Sequence, residues 1–116
     1  MGNILNPIIL TYYKSGGIMG IIFRLELYQN GTYKLYSHNI LKKHHKINTT
    51  QFPQIIKLID SINTLQDRYC DQYGYDLLIR ILEINNKRID LGSFDKNCIP
   101  ANLYDSVKIL ENIIGF

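Results

Sequence analysis

At 116 residues, 46% hydrophobic and 20% charged, the chain has the length and composition of one globular domain able to bury its own core, far from the profile of disorder. The formal net charge of +3 is uneven: residues 1–50 hold six Lys/Arg against one acidic residue, and residues 51–116 hold seven against nine. The basic excess belongs to the first half and falls short of a strong nucleic-acid signature. Cys70 and Cys98, 28 residues apart, form neither a dense disulfide framework nor a zinc-knuckle pair, and are expected as free thiols.

The N-terminal residues lack a positive n-region, and no 18 apolar residues run together, so a cytoplasmic protein without a membrane span is predicted. Asn6 stands where a myristoylation motif wants Ser or Thr, which weakens any such reading of Gly2.

In chain order, residues 8–14 alternate Ile8, Leu10 and Tyr12 against Ile9, Thr11 and Tyr13. That predicts a strand, and Pro7 at its start suits an edge or first-strand position. A glycine-rich turn, Ser15-Gly16-Gly17-Ile18-Met19-Gly20, leads into residues 21–28, where Ile21, Phe23, Leu25 and Leu27 share one face and Arg24 and Glu26 the other. A third strand spans residues 32–37. A two-residue turn between these strands would set Leu35 against Glu26 and mix the faces. A three-residue loop, Gln29-Asn30-Gly31, sets Leu27 against Tyr33 and Leu25 against Leu35. The second geometry is predicted, with Gly31 left-handed at a G1 bulge.

Residues 38–49 are polar and basic and read as a loop, after which Thr49 or Thr50 is expected to cap a helix with Pro53 in its first turn. Phe52, Ile55, Ile56, Ile59 and Ile62 supply its apolar stripe. Residues 63–74 read as a loop. Residues 75–84 and 87–91 form a second hairpin across Asn85-Asn86, and a final helix over residues 100–114 carries Leu103, Val107, Leu110 and Ile114 on one face and stops at Gly115. The fold class predicted is α+β over residues 1–116 as a single domain: a mainly antiparallel five-stranded sheet, βββ-α-ββ-α, with two helices on one face.

No nucleophile-base-orienter set is readable, because His38, His44 and His45 all fall in one basic stretch and no G-x-S-x-G occurs. Adjacent His44 and His45 point apart in extended chain, so no metal site, cofactor or catalytic residue is predicted. Asp67, Asp71 and Asp76 lack calcium-loop spacing. The run Lys42, Lys43, His44, His45 and Lys46 suits a solvated face, the rim of an acidic protein interface, or an anion-binding segment for nucleic acid. The glycine turn lacks the Lys-Ser/Thr ending of a phosphate loop and leads into a strand, not a helix. Its glycines supply positive φ. Ile18 and Met19, large and apolar where turns are normally polar, either fold under the sheet or are displayed for a partner.

The order of a strand, S-G-G-x-x-G, two strands, a helix, Asp-x-x-x-Tyr before a strand and a Pro-initiated last helix resembles the emfourin family, small intracellular bacterial inhibitors of thermolysin-like metallopeptidases such as protealysin. The matching positions are Ser15, Gly16, Gly17 and Gly20, Asp71 with Tyr75, and Pro100 with Leu103. The resemblance implies a non-catalytic protein that binds a peptidase partner and occupies its active-site cleft; a monomer is expected. Ser15, Gly16, Gly17, Ile18, Met19 and Gly20 would then be the partner-binding residues. The alternative expectation is an accessory domain that binds nucleic acid or another anionic partner through residues 42–46, with no membrane partner under either reading.

Overall fold

The computed structural model describes residues 5–17, 20–70 and 78–115. Alternating apolar residues build β1 (Ile8–Gly16), β2 (Ile21–Tyr28) and β3 (Thr32–Ser37). The chain then forms β4 (Ile40–Lys46), α1 (Phe52–Asp60), a 3₁₀ turn (Ile62–Thr64), β5 (Leu78–Ile84), β6 (Lys87–Asp90) and α2 (Ala101–Ile114). One antiparallel sheet results, in the order β4-β3-β2-β1-β5-β6.

The architecture is α+β with two helices, as expected, but the sheet has six strands and not five. The added strand is β4, which replaces the loop predicted over residues 38–49. All its residues are exposed, so the apolar alternation that marks a half-buried strand is missing from its sequence. His38 and Asn39, at φ 52° and 65°, make the tight turn that folds it back on β3. A second difference concerns β1, which lies inside the sheet between β2 and β5. Pro7 precedes the strand and so withholds no N–H from the ladder; its carbonyl accepts from Gln29 N at 3.0 Å.

The β2–β3 register pairs Leu27 with Tyr33 and Leu25 with Leu35, the arrangement that keeps the apolar faces intact. Gly31 has φ 87° and its N–H donates to Tyr28 O at 2.9 Å, as the three-residue loop requires. At the other hairpin Asn85 and Asn86, φ 51° and 66°, turn β5 into β6. The described part of the strand predicted from residue 75 begins at Leu78; residues 75–77 lie outside the described residues.

Leu10, Tyr12, Leu25, Leu27, Leu35 and Leu82 share one sheet face and form a single buried cluster with Ile55 and Leu58 of α1 and with Leu103, Val107, Leu110 and Ile114 of α2. Each fully buried leucine there contributes on the order of 2 kcal/mol. The start of α1 is not capped by Thr49 or Thr50. Its N-cap is Gln51 without a side-chain bond, and Asn48 supplies the turn before it, with Oδ1 accepting from Thr50 N at 2.8 Å and the carbonyl from Gln51 and Phe52 N at 3.0 Å. Asn48 can fold its own side chain back onto the next backbone amides, which removes the need for a threonine cap. The second helix follows its prediction: Pro100 is the N-cap and Gly115, φ 71°, ends it with its N–H on Glu111 O.

The cysteines are paired, not free: Cys70 and Cys98 form a disulfide with Cα atoms 5.4 Å apart. What joins them is tertiary. Asp90 N donates to Asp67 O at 2.9 Å and Tyr69 N to Asp90 O at 2.8 Å, with Arg68 bridged in parallel to Asp90. Gly92, φ 56°, lies so close that a Cβ there would be 2.0 Å from Cys70 O. The segment ahead of Cys70 is thus laid along β6, and Cys70 meets the loop before α2. No helix among the described residues is long and apolar enough to cross a membrane.

Candidate functional site

The glycine turn joins the two central strands β1 and β2. Gly16, Gly17 and Gly20 have φ 97°, 74° and 64°, and Gly20 N donates to Gly17 O at 3.2 Å. Three left-handed residues in so short a span demand glycine, since side chains clash with the backbone in that region. At Gly20 the requirement is conformational alone, because nothing lies within 4 Å of a Cβ built there. Ile18 and Met19, which carry the apolar content of the turn, lie outside the described residues, as do Asp71, Tyr75 and Asp76.

The sheet face away from the helices continues from this turn. Ser15 pairs with Ile22 on one side and Ile79 on the other, and both isoleucines are half exposed. Beside them Arg24 lies over the Tyr36 ring, 4.2 Å from its centroid, while its Nη1 donates to Asn39 Oδ1 at 3.0 Å and its Nε to Glu26 Oε2 at 3.2 Å. Tyr13, Ser15, Ile22, Arg24, Tyr36 and Asn39 line a depression of about 200 Å³. Burial, and then the hydrogen bond to Glu83, raises the Tyr13 phenol above its ordinary pKa. Tyr28 is pushed up to about 12 by burial and by its hydrogen bond to Glu26. These phenols therefore stay neutral donors at physiological pH. The surface offers apolar contact and a guanidinium already held in place.

Beneath the turn lies a polar group that the sequence reading missed. Lys14, on β1, is buried, and its Nζ donates to Glu111 Oε1 of α2 at 2.7 Å. Tyr12 OH donates to the other oxygen of Glu111, and Arg80 Nε stands 3.6 Å from it. Arg80 also lies over the Phe94 ring, which stacks on Tyr104. Burial, followed by the Glu111 charge, raises the Tyr12 phenol far above its ordinary value. The group ties the strand that feeds the turn to the last helix. Its signal was present: Lys14 continues the Leu10–Tyr12 face, and Glu111 stands on the helical stripe between Val107 and Ile114.

The basic run lies on β4. Register places Lys43 and His45 on the face of Leu35 and Tyr33, and His44 and Lys46 on the face of Lys34 and Thr32. His44 and His45 therefore point apart, and His38 sits in the turn. Among the described residues no group of three His, Cys, Asp or Glu side chains could hold a metal ion. Lys43 Nζ donates to Ile113 O at 2.8 Å, where a cation complements the C-terminal end of α2. Of the acidic residues near Cys70, Asp67 lies 3.8 Å from Lys87 Nζ and borders β6 through its backbone. Pro100 and Leu103 serve α2, one as its N-cap and the other in the core.

Comparison of the chain with protein-family models, with curated proteins and with solved structures finds no match.

Proposed function

We propose that this domain is a non-catalytic protein-binding module, in its most concrete form an inhibitor of a thermolysin-like metallopeptidase, and that the turn of Ser15, Gly16, Gly17, Ile18, Met19 and Gly20 is the contact loop. The observation that carries the reading is the turn's conformation: three glycines at positive φ and a Gly20-to-Gly17 hydrogen bond at the tip of the central hairpin. Residues fixed at the two ends of the loop before a partner arrives lose less entropy on binding. The Lys14–Glu111 pair ties the strand that enters the loop to α2. The resemblance of the S-G-G-x-x-G turn to that of the emfourins supplies the class of partner, and Ile18 or Met19 supplies the bulky apolar side chain that thermolysin-like enzymes favour.

The test is steady-state inhibition of thermolysin by the wild-type domain and by the Ile18→Asp, Met19→Asp double variant. The wild type is expected to inhibit, and the double variant to lose about thirtyfold or more in affinity, the cost of removing an interface anchor, with its urea midpoint unchanged. Equal inhibition by both proteins sinks the loop assignment. Absence of inhibition by the wild type sinks the peptidase reading.

A further inference from the structure

Independently of the turn, we infer that the free edge of β4 is a docking site for an acidic, extended segment of another protein, which joins the sheet as a seventh strand. β4 is the terminal strand on its side of the sheet and every one of its residues is exposed. Ile47 N donates to Gly31 O at 2.8 Å. Antiparallel alternation then aims the backbone groups of His45 and Lys43 at β3 and those of His44 and Lys46 outward, where an added strand would meet them.

Charge selects the occupant. Residues 42–46 are three lysines and two histidines, and among the described residues no carboxylate forms an ion pair with Lys42, Lys43 or Lys46. A second copy of this chain added antiparallel would set cations against cations, which like-charge repulsion disfavours. A strand rich in Glu or Asp meets the opposite sign at Lys42, Lys43 and Lys46. Ile40 and Leu41, 60% and 48% exposed, give such a segment apolar contact at one end. The distribution of the cations also favours polypeptide over nucleic acid. Lys43 and His45 lie on one sheet face and His44 and Lys46 on the other, matching a neighbouring strand whose side chains alternate between the faces. A phosphate backbone crossing one face would find only part of the set.

The probe is a fluorescein-labelled octapeptide, Glu-Glu-Val-Glu-Glu-Val-Glu-Glu, which carries carboxylates on both faces of an extended strand, followed by anisotropy as NaCl is raised and by amide hydrogen exchange. Saturable binding that weakens with salt is expected, with slowed exchange at His44 and Lys46. The Lys42→Glu, Lys46→Glu variant should bind about tenfold more weakly, the combined effect of reversing two exposed charges. His44→Pro removes an outward N–H that the ladder to β3 does not use and should abolish binding. Circular dichroism reports whether each variant is folded. If His44→Pro unfolds, the exchange at His44 and Lys46 in the wild type decides in its place. The proposal is overturned if the peptide does not bind or leaves that exchange unchanged. It is equally overturned if folded His44→Pro binds as wild type, if charge reversal has no effect, or if a labelled oligothymidine binds more tightly than the peptide.

Discussion

At Asp90, the last residue of β6, the chain covers its own sheet edge. Backbone bonds from Asp90 to Asp67 and from Tyr69 to Asp90 lay a segment beside the strand, Gly92 lets it approach, and the Cys70–Cys98 disulfide fastens it. Along β4 nothing among the described residues covers the edge, and cations line it instead. Both devices prevent indiscriminate pairing of sheet edges. They differ in what they leave behind: at Asp90 the backbone groups are taken, while a charged edge keeps its own and restricts who can use them.

The largest expected effect falls on the covered edge. Gly92→Ala places a methyl 2.0 Å from Cys70 O at a φ of 56°, and the combined overpacking and backbone strain should cost about 4 kcal/mol in urea unfolding. An unchanged midpoint would show that the segment does not lie there. Replacing Cys70 and Cys98 together by serine opens a cross-link between residues 28 apart and should cost about 3 kcal/mol, with dithiothreitol treatment of the wild type giving the same loss.

Between the edges, Tyr12→Phe removes a hydrogen bond to a carboxylate and should cost about 2 kcal/mol at neutral pH. The same variant changes the alkaline limb. Because the Tyr12 pKa is raised in the folded state, its contribution is fully present below the unfolded value of about 10 and declines as pH rises above it. The variant should therefore lose less stability than wild type above that pH, and parallel alkaline limbs would refute the assignment. The smallest effect belongs to β4: Lys42→Glu with Lys46→Glu should shift stability by no more than about 0.5 kcal/mol, measured by the same unfolding curve. A larger loss would mean that the basic edge is structural and not merely displayed.

The same contrast explains what could be read from residues alone. The β2–β3 register was legible because Leu25, Leu27, Tyr33 and Leu35 must face one core, and α2 because its stripe runs from a proline to a glycine. β4 was illegible because a strand exposed on both faces needs no apolar alternation. The disulfide depends on the placement of residues 67–69 beside β6, which cysteine spacing does not encode. Lys14 and Glu111 each occupy a position in an apolar pattern, yet only their meeting across the core, 2.7 Å apart, gives the exception its meaning. Of the turn, the left-handed glycines were foreseen from their identity, while the wager on Ile18 and Met19 rests with the inhibition assay.

The central place of β1 also bears on how the chain reaches this state. Three sequential hairpins can assemble β1 to β4 from local pairings, but β1 is completed only when Tyr12 meets Leu82 from far along the chain, and non-local pairings of that kind close slowly. Until then the edge carrying Ile8, Ile9, Leu10 and Tyr12 is open on one side, as apolar a strand as this chain possesses. Lys14 is the one charge on that strand. Its carboxylate partner comes from α2, so the charge on the central strand can be buried only once the last helix of the chain is in place.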